Sequence, residues 1–248
     1  MALIASLGAA QAVTINSVGY ANLTGLGSIG FGALGTQILD DVTQIGAAKF
    51  GERFAGQSLG QSGFFDTLGN SASGPLTLLS GAKDQNLLIE NGELSGLGWL
   101  GRECDPTDPD DFCPGDGLYA EAKGEGAISI LFDGDQSEFG FELSFGDQGT
   151  VFLAFFDIQG KLLGEQALLN IGSGSSQYGF RALDDNGQAL QIIAGVSIWN
   201  ADQGGLSFNS VRFDVTDPRD PPGGTVPLPS GLLLTGLALA AALQQRRR

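Results

Sequence analysis

The sequence predicts an all-β protein built as a jelly-roll-like β-sandwich, and three observations lead to this prediction. The 248-residue chain contains 40 glycines without a strict period, which indicates many turns rather than a collagen-like repeat. Residues 139–145 alternate apolar side chains with small or polar ones, as in a strand with one face in water. Candidate strands recur about every 10–12 residues between turns rich in Gly, Asp and Asn, a spacing typical of sandwiches.

The predicted strands are clearest in the second half of the chain. The segment Val151–Phe156 is apolar on both faces, which favours a central strand. Residues 157–160 and 184–187 supply turn residues, and the second set, Asp-Asp-Asn-Gly, is a good hairpin connector. The remaining strands are predicted at 161–169, 177–183, 189–199 and 206–215.

The first half gives weaker signals. We expect an opening strand at 13–21, a strand or a short helix at 38–50, and short strands at Leu87–Glu90 and near Trp99. These elements either interleave with the later strands in one sandwich or form a loosely ordered appendage. We favour one domain spanning residues 13–216.

Composition excludes several functions. The chain has 28 acidic and 12 basic residues, a formal net charge of −16, so nucleic acid is not expected as a partner, because phosphate binding needs a basic face. Histidine is absent, which removes Ser-His-Asp and Cys-His catalysis and the commonest zinc ligand. Glycoside hydrolysis needs only two carboxylates, but Glu138 and Glu142 flank one strand without a reason to face each other. We therefore predict no enzymatic activity.

Two cysteines enclose an acidic loop. Cys104 and Cys113 lie nine residues apart in a turn-rich segment, and in an exported protein they are expected to form a disulfide. The loop offers carboxylates that could bind Ca²⁺, which takes 6–8 oxygen ligands. The alternative is a solvated acidic loop. The candidate calcium ligands are Asp105, Asp108, Asp110 and Asp111.

A second candidate site follows the strand predicted at 189–199. Trp199 stands beside Asn200, Asp202 and Gln203, and an aromatic ring next to amides and a carboxylate suits a sugar: the ring stacks on the apolar face and the polar groups bind hydroxyls. The alternative is that Trp199 belongs to the core and that the other residues form an ordinary turn.

The chain begins with a segment typical of secretion. Residues 1–12 are small and apolar and close on Ala10-Gln11-Ala12, an A-x-A cleavage pattern. The segment lacks a basic region and is short, so we expect it to be an incomplete signal peptide. The alternative is an N-terminal strand or helix.

The C-terminal end reads as a membrane-directed tail. Residues 217–225 form a linker rich in proline and glycine. Val226, Pro227, Leu228 and Pro229 follow, then an apolar run at 231–243 that ends in Arg246, Arg247 and Arg248. The run is apolar on every face and covers roughly 20 Å as a helix. The arginines fit the cytoplasmic interface of a membrane, so we predict a short C-terminal transmembrane helix.

This tail, residues 226–248, resembles the PEP-CTERM sorting signal of Gram-negative bacteria. Val226, Pro227 and Pro229 match the motif, and Leu228 replaces the usual glutamate, as a variant form. The resemblance implies recognition by an exosortase, a protease-like membrane enzyme. It covers about a tenth of the chain and specifies an address rather than an activity.

Together these patterns predict an exported, non-catalytic protein of the cell surface or extracellular matrix. It would be anchored transiently in the inner membrane and processed by an exosortase-like enzyme. The alternative is a secreted carbohydrate-binding module, stabilised by calcium in the acidic loop and bound to extracellular polysaccharide.

Overall fold

A computed structural model describes the greater part of the chain between residues 12 and 214. The chain divides into two compact units, Met1–Pro218 and Arg219–Arg248, and every strand given below belongs to the first. The described residues are 12–31, 37–39, 41–62, 65–81, 87–90, 97–100, 127–144, 149–171, 174–200, 206–214 and 219.

The described residues form strands, the 3₁₀ turn Tyr20–Asn22 and the segments that connect them, and they contain no α-helix. The strands are β1 (Thr14–Val18), β2 (Gly27–Gly30), β3 (Gln37–Leu39), β4 (Thr43–Ile45), β5 (Ala48–Gly51), β6 (Arg53–Phe54), β7 (Leu59–Ser62), β8 (Phe65–Leu68), β9 (Leu78–Leu79), β10 (Leu87–Glu90), β11 (Leu97–Leu100), β12 (Ala127–Gln136), β13 (Glu138–Ser144), β14 (Val151–Phe156), β15 (Leu162–Leu168), β16 (Ser176–Leu183), β17 (Ile193–Asn200) and β18 (Leu206–Phe213).

Two antiparallel sheets make up the sandwich. Sheet A has the order β1-β16-β13-β18-β11-β10-β3, with β2 also paired to β18, and sheet B has the order β15-β14-β17-β12-β5-β4. Successive strands change sheets: β12 and β14 belong to sheet B and β13 to sheet A, whereas β16 and β18 belong to sheet A and β17 to sheet B. The prediction of an all-β protein is confirmed, and the structure shows that the strand pairs are antiparallel.

The first half of the chain contributes strands to both sheets. Strand β1 pairs with β16, β2 with β18, and β5 with β12. The segment 38–50, which we expected to be a strand or a short helix, contains parts of three short strands, β3 to β5. A helix is disfavoured here because Ala48 and Phe50 alternate with exposed Lys49 and point into the sandwich.

The core between the sheets is rich in phenylalanine. Phe139, Phe141 and Leu143 on β13 are fully buried, as the period of two predicts, and β13 therefore has one dry face. Phe155 of sheet B meets Phe180 of sheet A with ring centroids 5.3 Å apart. Such aromatic pairs add to the free energy gained by burying their surface.

Strand β14 is apolar on both faces because each face meets a core. Val151, Leu153 and Phe155 point into the core between the sheets, whereas Ala154 and Phe156 belong to a second core on the outer side of sheet B. A covering layer, residues 52–79, closes this second core; its strands pair as β6-β9 and β7-β8. The sequence did not predict this layer.

The covering layer approaches sheet B closely. A Cβ atom at Gly195 would lie 2.4 Å from Cζ of Phe54, so this position excludes a side chain. Beside it, the hydroxyls of Ser129 and Ser197 lie 2.6 Å apart, and Ser197 donates to Oε1 of Gln57 at 3.0 Å. These hydroxyls are buried but satisfied, as buried polar groups need to be.

The turn at 184–187 has the turn chemistry that its residues predict, but the strands on either side, β16 and β17, lie in different sheets and do not pair with each other as a hairpin. The Asp184 carboxylate accepts hydrogen bonds from the backbone N–H groups of Asn186 and Gln188, each at 2.8 Å. Gly187 has φ +75°, a conformation that favours glycine. The turn leads into a bridge between Leu183 and Ala189.

Asp184→Ala should therefore lower the free energy of unfolding by about 1 kcal/mol, the net value of such hydrogen bonds. Urea denaturation provides the measurement. Asp185→Ala in the same turn is the control, because the Asp185 carboxylate accepts a long hydrogen bond of 3.4 Å from the N–H of Ala12. Equal losses in the two variants would contradict a capping role for Asp184.

Within the part of the chain that the structure describes, no helix is long and apolar enough to cross a bilayer. The predicted transmembrane tail, 226–248, and the signal segment up to residue 11 lie outside the described residues.

Candidate functional site

The aromatic residue of the predicted sugar site at the end of β17, Trp199, is not exposed to solvent. Trp199 is 9% exposed and stacks on Phe152 in the second core, with centroids 5.8 Å apart and ring planes at 17°. Trp199 points away from the core between the sheets, and residues 52–79 cover it on that side of sheet B. The structure therefore agrees with the alternative interpretation, in which Trp199 is a core residue. Asn200 ends β17, and only its backbone is described, whereas Asp202 and Gln203 lie outside the described residues.

The predicted calcium loop and the predicted disulfide also lie outside the described residues, and both stay predictions. These are Asp105, Asp108, Asp110 and Asp111 with Cys104 and Cys113. In the described ranges, no group of three or more Asp, Glu, Cys or His side chains is placed to hold a metal ion.

Polar side chains converge instead on the outer face of sheet A. Glu142 accepts hydrogen bonds at Oε1 from the Ser175 hydroxyl at 2.8 Å and from Nδ2 of Asn209 at 3.2 Å. Its second oxygen, Oε2, accepts one from Nε2 of Gln177 at 3.2 Å. We call these four residues the Glu142 site. Glu142 and Asn209 are half-buried, and Ser175 and Gln177 are exposed.

Strand register builds this site. Glu142 lies directly opposite Gln177 in the β13-β16 pair. On its other side, the register of β13 with β18 shifts between Glu142 and Leu143, so Glu142 faces Ser210 and Leu143 faces Phe208. Asn209 is the extra residue of this β-bulge. Bulges re-aim side chains, and here the bulge brings Asn209 to the carboxylate while Phe208 stays in the core.

The hydrogen bonds also fix the charge of the site. The bond from Ser175 holds the pKa of Glu142 below its ordinary value of 4.5; burial opposes this, and the bonds from Gln177 and Asn209 add to it. Glu142 is therefore ionised at neutral pH, with both carboxylate oxygens held in place.

A second polar cluster on the same face holds the segment 19–25 against sheet A. Glu138, which is 2% exposed, accepts hydrogen bonds at Oε1 from the N–H groups of Thr24 and Gly25, each at 2.5 Å. Arg181 forms an ion pair with Oε2 of Glu138 at 2.6 Å. Arg212 donates to the carbonyl oxygens of Leu23 and Gly25. We call this arrangement the Glu138 clasp.

Glycines let the clasped segment lie directly on the sheet. A Cβ atom at Gly140 would lie 2.4 Å from Cδ1 of Leu23 and 3.0 Å from Cδ2 of Tyr20, and one at Gly179 would lie 3.2 Å from Cα of Tyr20. Tyr20 is half-buried, and the Arg212 guanidinium lies 5.1 Å from its ring centroid. The clasped segment therefore places a partly exposed aromatic ring on this face.

The two clusters are neighbours along β13. Gly140, beneath Tyr20, and Glu142 are successive outward positions, which a strand separates by roughly 7 Å. Glu138 and Glu142 are four residues apart, roughly 13 Å along the strand. Two carboxylates that cleave a glycosidic bond lie roughly 5–9.5 Å apart, so the strand spacing does not suit this pair.

Sequence reasoning missed this face as a site. The available signal was the outward series of β13, in which Glu138, Gly140 and Glu142 alternate with the buried residues. A glycine between two carboxylates on a solvent face indicates that another segment approaches there. Neither Tyr20 nor Asn209 could be assigned to it without the pairing register.

No family model and no curated protein matches the chain. Among solved structures it is similar to a carbohydrate-binding module, CBM28, specific for non-crystalline cellulose, with 17% identity and a TM-score of 0.27 over 55% of this chain and 83% of the other. It is also similar to the enzymatically active domain of tailspike protein 4 of bacteriophage CBA120, with 14% identity and a TM-score of 0.25, over 73% of this chain and 18% of that one. Likenesses this weak define neither a fold family nor a ligand.

Proposed function

We propose that this chain is an exported, non-catalytic protein of the cell surface or extracellular matrix. A C-terminal signal, processed by an exosortase-like enzyme, would direct it through a transient stay in the inner membrane. The observation that carries this proposal is the succession of features in the sequence of the tail: Val226, Pro227 and Pro229 come first, the apolar run at 231–243 follows, and Arg246, Arg247 and Arg248 come last. A membrane suits such a run better than a protein core does, because no face of it is polar.

The organisation of the chain supports this proposal. The last described strand, β18 of sheet A, ends at Phe213, ahead of the proline- and glycine-rich residues 217–225. The second compact unit starts at Arg219. A sandwich followed by a separate tail is the arrangement that a removable sorting signal needs.

The geometry of Glu138 and Glu142, the pair of carboxylates considered for glycoside hydrolysis, supports a non-catalytic role. Glu138 is committed to an ion pair and two backbone hydrogen bonds, and the strand spacing from Glu142 exceeds that of a glycosidase pair. The sequence has no histidine to act as a general base at neutral pH.

The processing of the tail is testable by substitution. In a host that carries an exosortase-like enzyme, the wild-type chain should lose its C-terminal tail and leave the inner membrane. The double variant Pro227→Ala/Pro229→Ala should retain the tail and stay in the membrane fraction. Cell fractionation followed by intact-mass spectrometry measures both outcomes.

The matched control is Pro221→Ala/Pro222→Ala, which removes two prolines from the linker but leaves the motif intact. It should be processed like the wild type. An intact wild-type chain in the cytosol, with both cysteines reduced, would contradict the proposal, and so would equal processing of the two double variants.

A second candidate function, carbohydrate binding, is favoured by the Glu142 site. The outer face of sheet A brings together an ionised carboxylate, a hydroxyl and two amides, and a partly exposed tyrosine lies beside them. Such polar groups can form hydrogen bonds with sugar hydroxyls. The alternation of β12–β14 and β16–β18 between the sheets supports the finer assignment as a jelly-roll-like sandwich. This second candidate function includes calcium bound in the acidic loop and an extracellular polysaccharide as the binding partner.

A further inference from the structure

We propose that the outer face of sheet A binds a neutral sugar, with Glu142, Gln177 and Ser175 on its hydroxyl groups and Tyr20 beside its ring. This proposal rests on the second candidate function and locates its binding site. It places the ligand on the opposite sheet from Trp199, where the sequence alone had suggested a sugar.

The hydrogen-bond count of Glu142 favours a hydroxyl ligand. A carboxylate offers about four lone-pair directions, and Ser175, Asn209 and Gln177 use three of them. One direction on Oε2 remains for a ligand O–H. Gln177 and Ser175 are exposed, so their remaining polar groups reach solvent and can bind a neighbouring hydroxyl.

The same count disfavours a cation at this place. Three donor hydrogens already point at the two carboxylate oxygens, and a metal ion would have to displace them. A calcium ion takes 6–8 oxygen ligands, whereas Glu142 is the one carboxylate of this site.

The site is also held in its binding geometry before a ligand arrives. The β-bulge directs Asn209 to Oε1, and strand pairing sets Gln177 opposite Glu142. The Glu138 clasp fixes Tyr20 on Gly140, one outward position away. A ligand therefore meets groups that are already ordered, which reduces the entropy lost on binding.

The negative charge of the protein favours neutral glycans over anionic ones as ligands. The chain has a net charge of −16, and Glu142 adds an ionised carboxylate within the site. Polysaccharides that carry uronate or sulfate groups would be repelled. The ligand class is therefore a neutral polysaccharide.

The test uses the full chain and a panel of soluble probes: a β-glucan, a xylan, a mannan and a galactan, with polygalacturonate as the anionic comparison. Isothermal titration should detect binding to at least one neutral probe and none to polygalacturonate. Glu142→Gln should weaken that binding by about tenfold or more, as expected for loss of a charged hydrogen-bond partner. Gln177→Ala, at an exposed position, should weaken it as well.

Glu165→Gln is the matched control, because Glu165 is exposed on β15 of sheet B, where it accepts a hydrogen bond from Asn70. Its affinity and melting temperature should equal those of the wild type. Binding that survives both Glu142→Gln and Gln177→Ala would overturn this site but leave carbohydrate binding standing. Binding to polygalacturonate alone would also overturn the site. No binding to any probe would overturn the second candidate function as well.

Discussion

Phe141→Ala is expected to lower the free energy of unfolding by about 4 kcal/mol, within the usual range for removing a buried phenylalanine. The ring is fully buried. Its centroid lies 5.2 Å from that of Phe208 and 5.5 Å from that of Tyr178. Alanine would leave a cavity at the centre of the core, since β13 pairs on both sides. Urea denaturation measures the change, and the melting temperature should fall by roughly 10 °C.

Leu169→Ala provides the comparison for Phe141, because Leu169 is 69% exposed and follows the end of β15. Its removal should change the free energy of unfolding by no more than about 0.5 kcal/mol. Similar losses in the two variants would show that Phe141 is not central to a shared core.

The strands of the second half could be predicted because their signal is local. Phe139, Phe141 and Leu143 alternate with small or polar residues, and this alternation specifies a strand with one buried face whatever its partner is. The turn at 184–187 is likewise encoded by its own residues. Both predictions depend on neighbours within a few positions.

The covering layer and the Trp199 position could not be predicted, because both depend on contacts between distant segments. Residues 52–79 carry apolar side chains such as Phe54 and Leu76, but the burial of these side chains needs the apolar residues on the outer face of sheet B, among them Phe156 and Trp199. The sequence around Trp199 would show the same aromatic and polar residues whether the tryptophan is buried or exposed. Only the presence of a covering layer decides between a core tryptophan and an exposed one.

The Glu142 site could not be predicted for a related reason. Glu142 comes from β13 and Asn209 from β18, whereas Gln177 lies on β16 and Ser175 directly before it. These residues meet only in one strand register. The bulge at Asn209 is needed because Phe208 and Val211, three residues apart, both point into the core. A regular strand would send one of them outward. The pattern Phe-Asn-Ser-Val contains this conflict, but the partner of Asn209 is set by pairing.

Glu138→Ala is expected to lower the free energy of unfolding by about 3 kcal/mol, because it removes a buried carboxylate that pairs with a half-buried arginine and accepts two backbone hydrogen bonds. Arg181 would lose its carboxylate, and the N–H groups of Thr24 and Gly25 would lose their acceptor. Hydrogen exchange at these two amides should accelerate, which assigns the loss to the clasp. Glu165→Ala, at an exposed carboxylate, should change stability by no more than about 0.5 kcal/mol, and an equal effect would contradict the clasp.

The same carboxylate should make stability sensitive to acid. Burial tends to raise the pKa of Glu138, but the hydrogen bonds from Gly25, Arg181 and Thr24, together with the Arg181 charge, outweigh it and hold the pKa below 4.5. The ionised form is therefore favoured by folding, so its contribution is complete above pH 4.5 and is lost as the pH falls through the folded-state pKa. Glu142, whose pKa is also lowered, titrates equally in wild type and variant.

The stability difference between wild type and Glu138→Gln should thus be largest above pH 4.5 and shrink below it. A difference independent of pH would show that the charge of Glu138 does not hold the clasp.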